Sequence, residues 1–491
     1  MPWIVVTLAA ASVSGAGREN SLVEAVKERR TAVVQTLLRS GDVNATDAEG
    51  ATPLHWAVYR DDVAIVDLLL SSGANVKATN HYGITPLWLA CVNGNAPVIE
   101  KLLRAGADPN TTMKEGDTAL MTAARTGNLA AVKELLSYGA NVNAAERSMG
   151  QTALMWAAAE NHADVVQALI DAGADLQARS TGEGGFTPFL FTARAGNSET
   201  ALVLLVAGAD MNDRLVNKTP TNGANALMLA VASAHYDFAA FLLEQGVDPN
   251  SDGNGMGWTA LHQLEFTRRP PAGRHGVPFP VPTGSMDSLT LAKKLLEYGA
   301  NPNARMTKEP IPAYFGRWAN THVGVTPFWL AAKLVDVPFM RLLLSYGADP
   351  LLPNAEGTTP LMAAAGVDIY VAGYEPGTPE DVTEAVKLCM ELRNDVTAAN
   401  TNGDTALHGA ALRGNNAVVM MLVEAGAKLD VKDKSIENRG ATSDSGREGR
   451  DGGWTPWRVA QGIYQNGRAQ MQPETAALLA RLMRERGLPV E

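Results

Sequence analysis

The chain has 491 residues, of which 46% are apolar, 19% charged and only 6% aromatic, and its formal net charge is −11. An acidic balance of this kind excludes a phosphate-binding role, which needs clustered Lys and Arg to displace counterions, so no nucleic-acid partner is expected. The two cysteines, Cys91 and Cys389, are too few and too far apart for a metal site or a disulfide framework, and each reads as a small buried apolar residue.

Residues 1–16 come first. An apolar run from Trp3 to Ala11 is followed by Ser14-Gly15-Ala16, a small-x-small exit of the form that signal peptidases cleave, although no Lys or Arg precedes the run. A signal peptide is the expectation, which would export the mature chain to the periplasm or beyond. A buried N-terminal segment of a cytoplasmic chain is the alternative. No other stretch approaches the roughly 18 consecutive apolar residues that cross a bilayer, so no integral membrane segment is expected in the mature chain. Residues 17–49, containing LVEAVKERRTAVVQTLL, read as a divergent helix pair with its charges outward, suited to capping one end of a helical stack.

From Gly50 one phrase recurs eleven times, in forms such as GATPLHWA, GDTALMTA and GVTPFWLA, starting at Gly50, Gly83, Gly116, Gly150, Gly185, Gly223, Gly257, Gly324, Gly357, Gly403 and Gly453. Most starts lie 33 to 38 residues apart, and a second phrase such as LLSYGANVNA runs between them. Thr before Pro-Leu can cap a first helix, and Pro in the first turn costs nothing because its N–H would have no helical partner. A Gly-Asn break turns the chain into a second helix, whose closing Gly suits a left-handed C-cap, and Asp, Asn and Gly then supply the turns of a short hairpin. One such unit buries too few side chains to offset the cost of ordering its backbone, so its stability has to come from stacking on its neighbours.

These residues resemble ankyrin repeats over nearly the whole chain from about Ser21. The resemblance implies an all-α repeat fold, an ankyrin solenoid of stacked helix-turn-helix units linked by short β-hairpins. It also implies a curved stack on the order of 100 Å long, whose hairpin fingers and inner helices form a concave protein-binding surface. Regular repeats one to six then occupy residues 50–256, and repeats seven to ten occupy 257–452 with insertions at 266–288, 306–323, 366–381 and 436–452. A capping repeat closes the chain at 453–491, where TAALLARLMRERGLPVE reads as the last helix. The ninth repeat lacks the closing Gly, so Asn394 is expected to take the left-handed turn.

Several motif matches dissolve within the repeat. Asp248, Asn250, Asp252 and Gly253 spell half of a calcium loop, but its twelfth position is Thr259 rather than Glu. His55, His262 and His408 fall where ankyrin repeats use His to hold the scaffold, and His162 and His235 fall at the helix-helix turn. His81, His275 and His322 lie in loops, none with a second ligand at metal spacing. No nucleophile elbow, HExxH, phosphate loop or dinucleotide turn is present, so no catalytic residue, cofactor or metal is expected.

By the resemblance, the positions free for recognition are the finger tip, the residue after the Gly of GxTP and the exposed end of the inner helix. They are Tyr59 and Arg60 in the first repeat, His81 and Tyr82 at the next finger, and Lys114, Glu115 and Arg125 in the third. The fifth offers Phe186 and Arg194, and the seventh Met256, Trp258 and Phe266. Aromatic and Arg side chains dominate interface energetics, although Phe186 or Trp258 could equally pack on a neighbouring finger. The 306–323 insertion adds Tyr314, Phe315, Arg317 and Trp318, which either fold back as a local core or present a hot spot. The main expectation is a monomeric, non-catalytic scaffold that binds a protein through repeats five to nine. The alternatives are a small-ligand receptor or enzyme between the seventh and ninth insertions, using Arg268, Arg269, Arg274, His275, Tyr370 and Tyr374, and an effector acting on foreign proteins.

Overall fold

The computed structural model describes residues 21–182, 184–216, 223–252, 255–270, 280–308, 322–367, 369, 377–434, 453–462 and 471–490. They contain 24 helices in two compact units, residues 1–182 with 199–209, and residues 183–198 with 210–491.

The first unit begins with α1 (Leu22–Lys27) and α2 (Thr31–Leu37) and continues with α3 (Pro53–Tyr59), α4 (Val63–Ser71), α5 (Pro86–Asn93), α6 (Ala96–Arg104), α7 (Ala119–Arg125), α8 (Leu129–Ser137), α9 (Ala153–Ala159) and α10 (Ala163–Asp171). It also takes residues 199–206 of α12 (Ser198–Val206). Odd-numbered helices pack on one another in one layer, α1 on α3, α3 on α5, α5 on α7 and α7 on α9, and the even-numbered helices from α2 to α10 form a second layer behind them. Each pair from α3 and α4 onward is one recurrence of the sequence. Its shared faces bury Leu54, Leu87, Leu120 and Leu154 from the inner layer and Leu69, Leu102, Leu135 and Leu169 from the outer. Burying one such side chain is worth about 1.5–3 kcal/mol.

The second unit repeats the plan with α11 (Pro188–Ala195), α13 (Ala226–Ala232), α14 (Tyr236–Glu244), α15 (Ala260–Arg268), α16 (Ser288–Glu297), α17 (Pro327–Lys333), α18 (Val337–Ser345), α19 (Pro360–Ala365), α20 (Pro379–Glu391), α21 (Ala406–Arg413), α22 (Asn416–Glu424), α23 (Pro456–Ala460) and α24 (Pro473–Glu485). The inner layer runs α11, α13, α15, α17, α19, α21 and α23, each packed on the next, and α14, α16, α18, α20, α22 and α24 succeed one another in the outer layer.

Inner helices start where the recurrences place them. Thr85 Oγ1 accepts the Trp88 N–H at 3.1 Å and Thr326 Oγ1 accepts that of Trp329 at 3.1 Å, each cap worth about 1 kcal/mol. The histidines of the first phrase frame the stack. His55 Nδ1 accepts the Thr52 N–H at 3.1 Å, so its Nε2 carries the proton and donates to the Ile84 carbonyl of the next repeat at 2.9 Å. His262 and His408 reach Val325 and Trp454 in the same way. Burial pushes the His262 imidazole down to about 4 and lowers His55 and His408 as well.

Asn rungs join the outer ends. Asn110 donates to the Gly139 carbonyl at 3.1 Å and accepts the Asn141 N–H at 2.7 Å, and Asn143 does the same with Gly173 and Asp175. Asn250 and Asn303 repeat the pattern in the second unit.

Two details differ from expectation. The hairpins reduce, among the described residues, to isolated antiparallel bridges such as Thr112 with Thr118 and Ala399 with Thr405. At the end of α20 it is Arg393, φ 65°, that is left-handed, while Asn394 is buried and its Nδ2 donates to the carbonyls of Pro350 and Cys389. Arg393 holds the position that Gly139 holds after α8, and Asn394 that of Ala140.

Candidate interaction surface

Asx turns build the finger tips. Asp47 Oδ1 accepts the N–H groups of Glu49 and Ala51, and Asn80 Oδ1 those of Tyr82 and Ile84. The fingers are tied to one another through backbone, His81 N–H to Glu49 O at 3.0 Å and Arg147 N–H to Glu115 O at 2.9 Å. Tyr82 is left 64% exposed, and His81, Lys114 and Glu115 are exposed beside the same row of tips.

The inner-helix ends of this unit are exposed as well. Tyr59 stands edge-on to Trp56, which Lys27 covers from 4.5 Å and whose Nε1–H donates to Asp47 at 2.8 Å. Arg60 is exposed, and Arg125 lies over the Trp156 ring at 5.5 Å. The first unit therefore places Tyr59, Arg60, His81, Tyr82, Lys114, Glu115 and Arg125 where a partner can reach them.

The second unit corrects three expectations. Phe186, Trp258 and Phe266 are 9%, 3% and 4% exposed. Phe186 packs on Phe191, with Arg194 above its ring; Arg194 itself stays exposed. Trp258 stacks on His262, meets Phe266 edge-on and donates from Nε1 to Gln263 at 3.0 Å. These rings complete the local core, so none of the three is available as an interface anchor. Met256 is half-buried and its carbonyl accepts the Thr307 N–H. His322, expected in an open loop, is buried. Tyr314, Phe315, Arg317, Trp318, Arg274, His275, Tyr370 and Tyr374 lie outside the described residues.

Arg268 and Arg269 are described, and both are occupied. The helix α15 runs one half-turn longer than α3 or α7, so Arg268 stays helical where those repeats have already turned. Its guanidinium donates to Asp336 Oδ2 from Nε at 3.0 Å and Nη2 at 2.8 Å, and Nη1 reaches Ser288. Arg269 lies 3.6 Å from the same carboxylate and 3.5 Å from Asp381 in the first turn of α20. Asp336 caps α18 with its other oxygen, accepting the Phe339 N–H at 3.1 Å. Just before it Val335 sits at φ 51°, a conformation that costs a β-branched residue on the order of 1–3 kcal/mol. Glu265 and Asp336 are fully buried in this cluster, and sequence motifs single out neither. A comparison of the repeats column by column would have found Glu265, since the inner helices between the two terminal ones otherwise carry small apolar residues at its position.

A shallow cleft of about 490 Å³ lies over Asp248, Asn250 and Asp252. Asp248 accepts the Asn250 N–H and Asp252 that of Gly257, so both carboxylates serve the turn. No group of three His, Cys, Asp or Glu among the described residues is placed to hold a metal ion, and no described helix is long and apolar enough to cross a membrane. Cys91 and Cys389 are buried free thiols; burial raises both, Cys389 to about 12.

Stacked helix pairs joined by fingers and a histidine frame define a helical repeat protein. The family model for ankyrin repeats matches residues 22–113, 87–180 and 183–264, and that for a single ankyrin repeat matches 402–434, so the chain belongs to the ankyrin-repeat family. Among curated proteins it is similar to mouse NF-kappa-B inhibitor alpha, 35% identical over 110 residues, which is 22% of this chain and 32% of the relative. It is also similar to the Danio rerio protein named "Putative palmitoyltransferase ZDHHC13", 31% identical over 144 residues, 29% of this chain and 18% of the relative. The chain thus spans less than a third of the length of either relative. Family membership and the likeness to the inhibitor support a role in protein–protein interaction.

Proposed function

We propose that the chain is a non-catalytic scaffold that captures a protein partner on the fingers and inner-helix ends of its first unit. The observation that carries this reading is the exposure of Tyr82, at 64%, at the tip of a finger that Asn80 holds in shape. Tyr59, Arg60 and Arg125 are exposed at inner-helix ends of the same unit and add residue types that dominate interface energetics. The expected contact has moved from repeats five to nine to repeats one to three, because Phe186, Trp258 and Phe266 are spent on the core.

Affinity capture with mass spectrometry, followed by titration of the purified partner, tests the reading. Tyr82→Ala combined with Tyr59→Ala should weaken binding by at least tenfold while leaving the unfolding midpoint in place. Unchanged affinity in the double variant would sink the location. A small-ligand or catalytic site at the seventh insertion is disfavoured, because Asp336 and Asp381 already hold Arg268 and Arg269, two of the residues it would use.

A further inference from the structure

Counting six residues on from the cap of the inner helices that lie between the two terminal ones reaches Val58, Cys91, Ala124, Ala158, Ala193, Val231, Ala332, Ala365 and Ala411, all no more than 1% exposed, and in the seventh repeat it reaches Glu265, which is 0% exposed. A carboxyl group therefore stands in a core column that other repeats fill with small apolar side chains. Among the described residues neither of its buried oxygens has a hydrogen-bond partner, and the Arg268 guanidinium lies 3.8 Å away.

The donors around it are committed elsewhere. Arg268 serves Asp336 and Ser288, and Arg269 is shared between Asp336 and Asp381. Of the helices packed against α15, α13 contributes no titratable group, α16 begins with Ser288 just after Asp287, and α17 ends in buried Lys333, whose Nζ donates to the Val367 carbonyl at 2.8 Å. An ionised Glu265 would therefore be a second carboxylate beside Asp336 with no donor of its own, and a buried charge in that position is costly.

We propose that Glu265 is a proton-linked latch: protonated, it lets the end of α15 close against the α17–α18 turn and the first turn of α20, and ionised, it drives that helix end open. The proton is released to solvent as the helix end opens. Burial first and Asp336 second hold its carboxyl well above its ordinary value of 4.5, against the pull of Arg268 and Arg269. A raised folded value means that the folded state binds the extra proton, so the contribution is complete below pH 4.5 and is lost as the pH climbs through the folded value. The latch is independent of partner capture on the first unit.

The test uses the full chain and Glu265→Ala, which installs the residue that the third and fifth repeats carry in this column. In urea titrations the wild type should lose stability relative to the variant as pH rises above 4.5, the ratio of their unfolding constants growing at least tenfold by neutral pH. Parallel profiles would overturn the proposal. Over the same range, exchange of the Arg269 amide, which donates to the Glu265 carbonyl at 3.0 Å, should accelerate in the wild type relative to the variant. Equal exchange at every pH would count against opening. Carboxyl carbon NMR of the wild type keeps the idea falsifiable if the variant does not fold: a Glu265 signal titrating near its ordinary value overturns it, and one still protonated well above that value supports it.

Discussion

The two units use the ends of their inner helices in opposite ways. In the first, Tyr59 and Arg125 lie at the surface and Tyr82 tops an open finger, while the column beneath them is Val58, Cys91 and Ala124. In the second, Phe266, at the position of Tyr59, turns inward beside Trp258 and charge goes with them: both rings are buried, and Glu265, Lys333 and Asp336 are each 0% exposed. One repeat frame thus supports both a reachable surface and an internal charge cluster. What decides between them is the half-turn by which α15 overshoots α3, carrying Arg268 to Asp336.

The sharpest way to break the contrast is at the buried cluster. Asp336→Ala removes a helix cap and leaves Arg268 without its partner, and should cost about 3–5 kcal/mol in urea denaturation. Trp258→Ala should cost a similar 3–5 kcal/mol, with a hydrophobic pocket left open against His262. If either variant unfolds with the wild-type midpoint, the second unit is not built as described.

A pH series separates the units. His262 lies at about 4, below the ordinary 6.5, so its neutral form contributes stability present above pH 6.5 and lost as pH falls through 4, roughly 3 kcal/mol in all. His55 shifts in the same direction. Acid should therefore loosen both units, whereas the rise in pH that ionises Glu265 should loosen the second more than the first, where Asp117 is the raised carboxyl. Hydrogen exchange measured in each unit reads this directly, and equal sensitivity of both units to that rise in pH would contradict it.

Smaller effects test single residues. Arg393→Gly should stabilise the chain by about 1 kcal/mol, because an exposed non-glycine residue leaves a left-handed conformation. Tyr82→Ala should move the midpoint by no more than about 0.5 kcal/mol, the ordinary range for a surface change, and a larger shift would mean that the ring is structural.

Much of the fold was legible. The recurring Thr-Pro-Leu marks a cap, a tolerated proline and an apolar face within a few residues, all local properties, and each recurrence does begin a helix. The candidate site was legible only where backbone geometry alone exposes the side chain, as the Asn80 turn does for Tyr82. Trp258 and Phe186 follow their turn glycines where Tyr82 precedes Gly83, and whether a ring there faces out or in depends on partners such as Gln263 and Phe191, which sequence spacing does not specify. The pairing of Arg268 with Asp336 spans 68 residues, and no local pattern announces it. Glu265 was hidden for another reason: a carboxylate next to an insertion reads as surface until the repeats are compared position by position.

The Asn rungs make neighbouring repeats interchangeable. Asn110 meets Gly139 and Asn141 through main-chain groups alone, and Asn143 meets Gly173 and Asp175 through the same groups. The joint is therefore indifferent to which repeat supplies its far side. Excising one whole repeat between Asn110 and Asn143 would bring Asn110 against Gly173 and Asp175 with the same atoms in play. Such a chain could gain or lose units during its history by cutting at these joints, with each new junction ready-made.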